Sequence, residues 1–156
     1  MPNKIIILCE SEEESDYFIN NLQNDFQIEA FLHFEDAQNV LTDPDVMIVI
    51  ANCESARVQG LSLLKNAAKI APSVIRIGFS YQENLDIAAA AVNEASVFRY
   101  LFGKPDPAHL KQIITEGFQV KTLEHNLTEL LNTIEQNPEQ YDEELIKLAK
   151  KLTGSK

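Results

Sequence analysis

Short apolar runs and helix-like stretches alternate along most of the chain. Ile5-Ile6-Ile7-Leu8 is an unbroken apolar run, readable as a strand buried on both faces. Ser11 follows, with Glu14 three residues later. That is a capping box, opening a helix that carries Tyr17, Phe18 and Leu22 on one face. Residues 28–34 read as a second strand, with His33 inside it, and residues 35–41 as a short helix. Asp43-Pro44-Asp45 is a turn before a third, wholly apolar strand at 46–51. Gly60 precedes a helix through Leu61, Leu64, Ala68 and Ile70, which Ala71-Pro72-Ser73 ends before a fourth strand at 74–79. An alanine-rich helix at 84–93 leads to a fifth strand at 97–101. Asp106-Pro107 then starts a helix, with Asp at the N-cap and Pro in the first turn. Five such alternations imply an α/β fold, a five-stranded parallel sheet covered by helices on both faces and spanning residues 3 to about 120.

The final helix continues past the point where such a domain ends. Val120, Leu123, Leu127, Leu130 and Ile134 follow 3-4-3-4 spacing, a heptad seam. Asn137-Pro138 breaks the helix and starts another, in which Tyr141, Leu145, Leu148 and Leu152 repeat the spacing. Glu143 and Lys147 stand at i,i+4 there, Lys150 and Lys151 suit the last turn, and Gly154 lies just past it. The expected division is a domain over residues 1–121 and a helical extension over 122–156. Two covers for the seam are open: a second copy of the chain, or the last helix folded back.

Charge narrows the partners. The 156 residues carry a formal net charge of −11. Nucleic-acid affinity comes from clustered Lys and Arg, and anionic membranes attract cations, so neither a nucleic acid nor a membrane is expected as a partner. Met1-Pro2-Asn3-Lys4 has no cleavable signal pattern, and two cysteines make no disulfide framework; a cytoplasmic protein is expected. With five glycines and neither a GxGxxG nor a GxxxxGK[ST] stretch, a phosphate-cradling loop is not indicated.

Residues 71–110 carry a family resemblance. Val74-Ile75-Arg76-Ile77-Gly78-Phe79-Ser80, then Asn93-Glu94-Ala95, Phe98-Arg99-Tyr100-Leu101 and Lys104-Pro105 resemble the second half of a response-regulator receiver domain, the CheY-like family. The resemblance implies a flavodoxin-like sheet of order 2-1-3-4-5, with the functional edge at the strand C-termini. It also implies a pocket in which two acidic residues after the first strand hold magnesium, an aspartate ending the third strand takes a phosphoryl group, and a hydroxyl and a lysine sense it. Cys9 and Glu10 fall on the acidic pair, Asn52 on the acceptor and Ser80 on the hydroxyl. Lys104 takes the lysine place if one residue is inserted, and Gly103 takes it otherwise.

That set lacks the chemistry. An uncharged amide is not a nucleophile for an acyl phosphate, and magnesium wants several hard anionic oxygens, of which only Glu10 supplies one. Glu54 is expected to be a solvated loop residue, and Glu12-Glu13-Glu14 a helix start favoured by the dipole. Cys9 and Cys53, ending neighbouring strands, read as small buried hydrophobes, since no zinc set accompanies them. His33, His109 and His125 have no visible nucleophile partner.

The expected protein is therefore not an enzyme and carries no cofactor or metal. It is a receiver-like signalling domain of a two-component, phosphorelay-type system that binds other signalling proteins without needing phosphate. It is also expected to form a homodimer through Arg99 and Tyr100, through Leu123, Leu127, Leu130 and Ile134, or through both. The alternatives are a working receiver with an unorthodox acceptor, and a small-molecule or nucleotide sensor using the vacated acidic pocket.

Overall fold

Two of the unbroken apolar runs become neighbouring strands in the middle of a parallel sheet. A computed structural model describes residues 3–136 and 143–152. In chain order the elements are β1 (Lys4–Leu8), α1 (Glu12–Leu22), β2 (Gln27–Phe31), α2 (Phe34–Asn39), β3 (Val46–Asn52), α3 (Gly60–Ile70), β4 (Ile75–Ser80), α4 (Leu85–Ala95), β5 (Arg99–Phe102), α5 (Pro107–Gln136) and α6 (Glu143–Leu152). The strand order is β2-β1-β3-β4-β5, every pairing parallel. β3 is buried at every position, as a strand covered on both faces must be.

Alternation along the strands splits the core in two. Ile6, Leu8, Val49 and Ala51 belong to a buried cluster with Ala37, Leu63, Leu64 and Ala95 of the second, third and fourth helices. On the other face Phe18 of α1 meets Phe79 of β4 edge to face, with ring centroids 5.5 Å apart. Gly117 of α5 lies close over Ile48 and Ile75 there. Each fully buried ring or branched chain contributes roughly 1.5–3 kcal/mol.

Several boundaries differ from the pattern-based ones. The second strand stops at Phe31, because its only neighbour, β1, ends at the paired Leu8. His33 is therefore not in a strand. It sits at the N-cap of α2 with extended backbone, and Phe34 begins the helix. α4 runs on to Ala95, closed by Ser96 in the left-handed region (φ 49°), so β5 starts only at Arg99.

The described residues form two compact units, one through Gly117 and one from Phe118. In the second unit Leu131 and Ile134 are buried, with Ile146 of α6 packed against them. The fold-back thus covers one end of the seam and leaves Leu123, Leu130, Leu145 and Leu148 exposed. Lys150 approaches Glu135 at 4.0 Å, and His125 lies 3.1 Å from Glu129. The Asn137-Pro138 break, Tyr141 and Gly154 lie outside the described residues.

α3 begins where the chain passes over the end of β3. Gln59 takes a left-handed conformation (φ 54°), and Gly60 follows with its α-carbon pressed on the Asn52 carbonyl. A Cβ there would lie 2.0 Å from that oxygen. Both atoms belong to backbone held by regular structure, so neither can yield cheaply. Gly60→Ala is expected to lower stability by roughly 2–3 kcal/mol, the upper end for an overpacked core. A thermal melt should read this as a drop of about 4–12 °C for a chain of this size; an unchanged melt would contradict the close approach.

Candidate functional site

The C-terminal ends of β1, β3 and β4 converge on one buried carboxylate. Glu14 stands in the first turn of α1, only 7% exposed, on the same inward stripe as Phe18 and Leu22. Four acceptor directions are available to a carboxylate, and the protein fills them. Oε1 accepts the backbone N–H of Glu10 at 3.1 Å. The Asn52 side-chain amide donates to Oε1 at 3.2 Å and to Oε2 at 3.1 Å. The Tyr81 hydroxyl also donates to Oε2. Burial disfavours the charged form of an acid, but charge-assisted bonds and the positive end of α1 offset that cost. The Ser11 hydroxyl accepts the Glu14 N–H at 3.2 Å, completing one half of the capping box. The other half is displaced by one residue, since the Glu14 side chain reaches the N–H of Glu10.

Asn52 is fully buried and equally committed. Its Oδ1 accepts the N–H of Glu54 at 2.9 Å and of Ser55 at 3.3 Å. One side chain thus shapes the loop after β3 with its oxygen and holds α1 with its nitrogen. Glu54, expected as a solvated loop residue, is half-buried and accepts the N–H groups of Tyr81 at 3.3 Å and Gln82 at 3.1 Å. Its carboxylate ties the loop after β3 to the loop after β4. Burial and the bond to Glu14 push the Tyr81 phenol well above its usual range, so it stays a donor.

The pattern-derived residues divide into two groups. Glu10 and Lys104 line a cavity of about 280 Å³ together with Ser11, Glu13, Glu14, Tyr17 and Tyr81. Lys104 holds its ammonium 4.3 Å above the centre of the Tyr17 ring, a cation–π distance. The Tyr17 hydroxyl donates to the Pro105 carbonyl at 2.5 Å, fixing the loop after β5 to α1. Gly103 makes the left-handed turn (φ 82°) that releases the chain from β5. Cys9, Asn52 and Ser80 are buried and do not line the cavity. The Ser80 hydroxyl donates to the Gln82 carbonyl at 2.9 Å.

The cysteines are free and buried. Burial, and then the Glu14 carboxylate, push the Cys9 thiol far above its usual range. Burial pushes the Cys53 thiol up to about 12. Both remain protonated near neutrality and have the character of small apolar groups.

A resident magnesium ion, which receiver domains use, does not fit this donor set. The Cys9 thiol is protonated, the Glu14 oxygens are taken by N–H and O–H donors, and Glu54 is spent on backbone. Among the described residues no three His, Cys, Asp or Glu side chains converge as a ligand group. No helix among them is long and apolar enough to cross a membrane.

Glu14, Tyr81 and Glu54 were not among the residues expected at the site. One signal did exist for Glu14: a carboxylate at i−4 from Phe18 and i−8 from Leu22 lies on the buried stripe, where an unpaired acid is too costly to leave. At the fifth strand, Arg99 is exposed, 3.4 Å from Glu116 and 4.3 Å over the Phe98 ring. Tyr100 instead turns inward: its ring lies under 3 Å from where a Gly78 Cβ would stand, and its hydroxyl is buried.

Asn52→Asp tests the central bond. It replaces a donor by a second carboxylate facing Glu14, and like charges at such range cannot both stay ionised. The new acid is then held above the usual carboxylate range when folded. The folded state binds the extra proton more tightly than the unfolded one, so stability is kept at acid pH and lost as pH rises from about 4. A loss of roughly 2–4 kcal/mol at pH 7, shrinking toward pH 4, is expected in urea titrations. A pH-independent loss would argue against the Glu14 contact.

No protein-family model matches the chain. The hydrogenase transcriptional regulatory protein HoxA of Cupriavidus necator is 21% identical over 127 residues, which cover 81% of this chain and 26% of that protein. The chain spans about a quarter of the length of the curated relatives it matches. Among solved structures, the signal receiver domain of an HD-domain-containing protein from Pseudomonas fluorescens Pf-5 superposes with a TM-score of 0.72 at 20% identity, covering 78% of this chain and 98% of that one. A CheY-like response regulator receiver domain protein from Methanospirillum hungatei JF-1 gives 0.73 at 17% identity, covering 80% and 99%. Sheet order, helix placement and these superpositions agree: the chain has the fold of the CheY-like response-regulator receiver domains.

Proposed function

We propose that this chain is a cytoplasmic pseudo-receiver: a two-component-type signalling module that acts by binding other signalling proteins, without phosphorylation and without catalysis. The observation that carries this reading is the mutual saturation of Glu14 and Asn52. The acceptor place holds an amide whose nitrogen and oxygen are both bonded, and the nearest carboxylate has no free lone pair to offer. Phosphoryl transfer depends on charge neutralisation and positioning around a nucleophile. Here the charge is already neutralised by the chain's own donors. The Glu54 carboxylate, two residues beyond Asn52, is committed to two backbone N–H groups. The similarity to proteins named as transcriptional regulators supports a signalling role.

The partner-facing surface in this reading lies around Arg99. At the other end of β5 and on α4, Phe102, Leu85 and Val92 expose 43%, 67% and 55% of their surface, more than such side chains usually show. Arg99 supplies the charged rim and Tyr100 supports β5 from beneath, with its hydroxyl turned away from solvent.

Incubation with millimolar acetyl phosphate and magnesium is expected to leave the intact mass unchanged. Beryllofluoride with magnesium is expected to leave the amide spectrum of residues 9–14, 52–55 and 80–82 unshifted. Stoichiometric addition of one phosphoryl group at any residue would refute the proposal.

A further inference from the structure

We infer that the hairpin of α5 and α6 is a self-association surface, whose occupant is the same hairpin of a second copy. The inference deepens the binding-module reading by naming one partner. It starts from what the hairpin leaves uncovered. Leu123, Leu127, Leu130 and Ile134 fall within roughly 60° of helical arc at 100° per residue. Ile134 is buried together with Leu131 against Ile146. Leu123 and Leu130 stay 59% and 46% exposed, and on α6 Leu145 and Leu148 stay 43% and 52% exposed. Two helices form one layer, and one layer cannot cover the faces of both its members.

Charge selects the occupant. Along α5 beyond Phe118 the acidic residues Glu124, Glu129 and Glu135 outnumber the one lysine, Lys121. On α6 Lys147, Lys150 and Lys151 follow the opening pair Glu143 and Glu144. Within the hairpin the two helices already meet with these signs, Lys150 against Glu135. An isologous pair of hairpins repeats that arrangement twice. α6 of each copy lies on α5 of the other, Leu145 and Leu148 face Leu123 and Leu130, and the lysines flanking Leu148 run beside the glutamates flanking the α5 leucines. The result is a four-helix bundle. A nucleic acid would meet the glutamates of α5, and an anionic bilayer would meet a chain of net charge −11. The second copy matches both helices at once.

Sedimentation velocity of the full chain, from about 1 to several hundred micromolar and without any phosphodonor, tests this. A reversible monomer–dimer transition is expected, weakened by high salt because part of it is ionic. Leu123→Glu with Leu130→Glu, or Leu145→Glu with Leu148→Glu, should give a monomer whose far-UV circular dichroism is unchanged. The milder Leu123→Ala with Leu130→Ala should weaken the dimer at least tenfold, and serves if a charged pair perturbs folding. A Lys147→Glu, Lys151→Glu chain mixed with a Glu124→Lys, Glu129→Lys chain should associate better than either does alone. A wild-type monomer at every concentration overturns the inference. So does a dimer that survives the leucine changes. Binding of the monomer to vesicles of phosphatidylglycerol and phosphatidylcholine would assign the leucines to lipid instead and overturn it as well. The failure is separable from failure of the binding-module reading, which acetyl phosphate labelling tests without reference to mass in solution.

Discussion

A buried carboxylate has to be given donors, and the architecture of the functional edge follows from how Glu14 is given them. Its partners come from three separate segments: the N–H of Glu10 after β1, the amide of Asn52 at the end of β3, and the hydroxyl of Tyr81 after β4. Those segments are far apart in sequence and adjacent only because the strand order brings β1, β3 and β4 side by side. Removing one partner of a buried charge costs more than the bond itself, because the charge stays behind unpaired. The three loops are therefore coupled: none can leave without stranding an ion. A receiver domain obtains the same convergence from an ion and a phosphoryl group that come and go. Here the ligand is a side chain, and it cannot dissociate.

The same bonded set bears on what an aspartate at position 52 would meet. The acceptor residue is one member of a bonded set whose other members were chosen for an amide. Asn52 donates to Glu14 and accepts from Glu54 and Ser55, whereas an ionised aspartate only accepts. Glu54 accepts the N–H groups of Tyr81 and Gln82, and Lys104 stands over the Tyr17 ring.

The sheet was legible in the sequence because its cause is local and periodic. The runs at 5–8 and 46–51 have no polar face, so they could only be strands covered on both sides. Ser11 and Asp106 announce helix starts by their own chemistry, and both accept the expected backbone N–H groups; Asn84, read as helical, caps α4 instead. The ends of β2 and β5 were not legible, since strand length is set by the neighbour and not by the strand itself: β2 stops where β1 stops. The site was half legible. The family resemblance pointed to Cys9, Glu10, Asn52, Ser80 and Lys104, of which Glu10 and Lys104 line the cavity, but the relations around them depend on distant contacts, such as Glu14 with Tyr81 and Tyr17 with Pro105. Capping explained Glu14 so well that its place on the buried stripe with Phe18 and Leu22 passed as incidental. A residue can serve its own helix through its backbone and another segment through its side chain, and pattern reading sees only the first.

The same distinction between local and distant causes governs the C-terminal unit. Heptad spacing in α5 says that an apolar seam exists, and nothing in that spacing says what covers it. Ile146 of α6 packs on Leu131 and Ile134, while Leu123 and Leu130 on the same helix stay exposed. The fold-back and the second copy, rivals when the sequence alone is read, are compatible in the proposed dimer. In the proposed dimer, the fold-back, favoured by high effective concentration, presents a two-helix face that neither helix has alone. Folding back is what shapes the surface on which a second chain can dock.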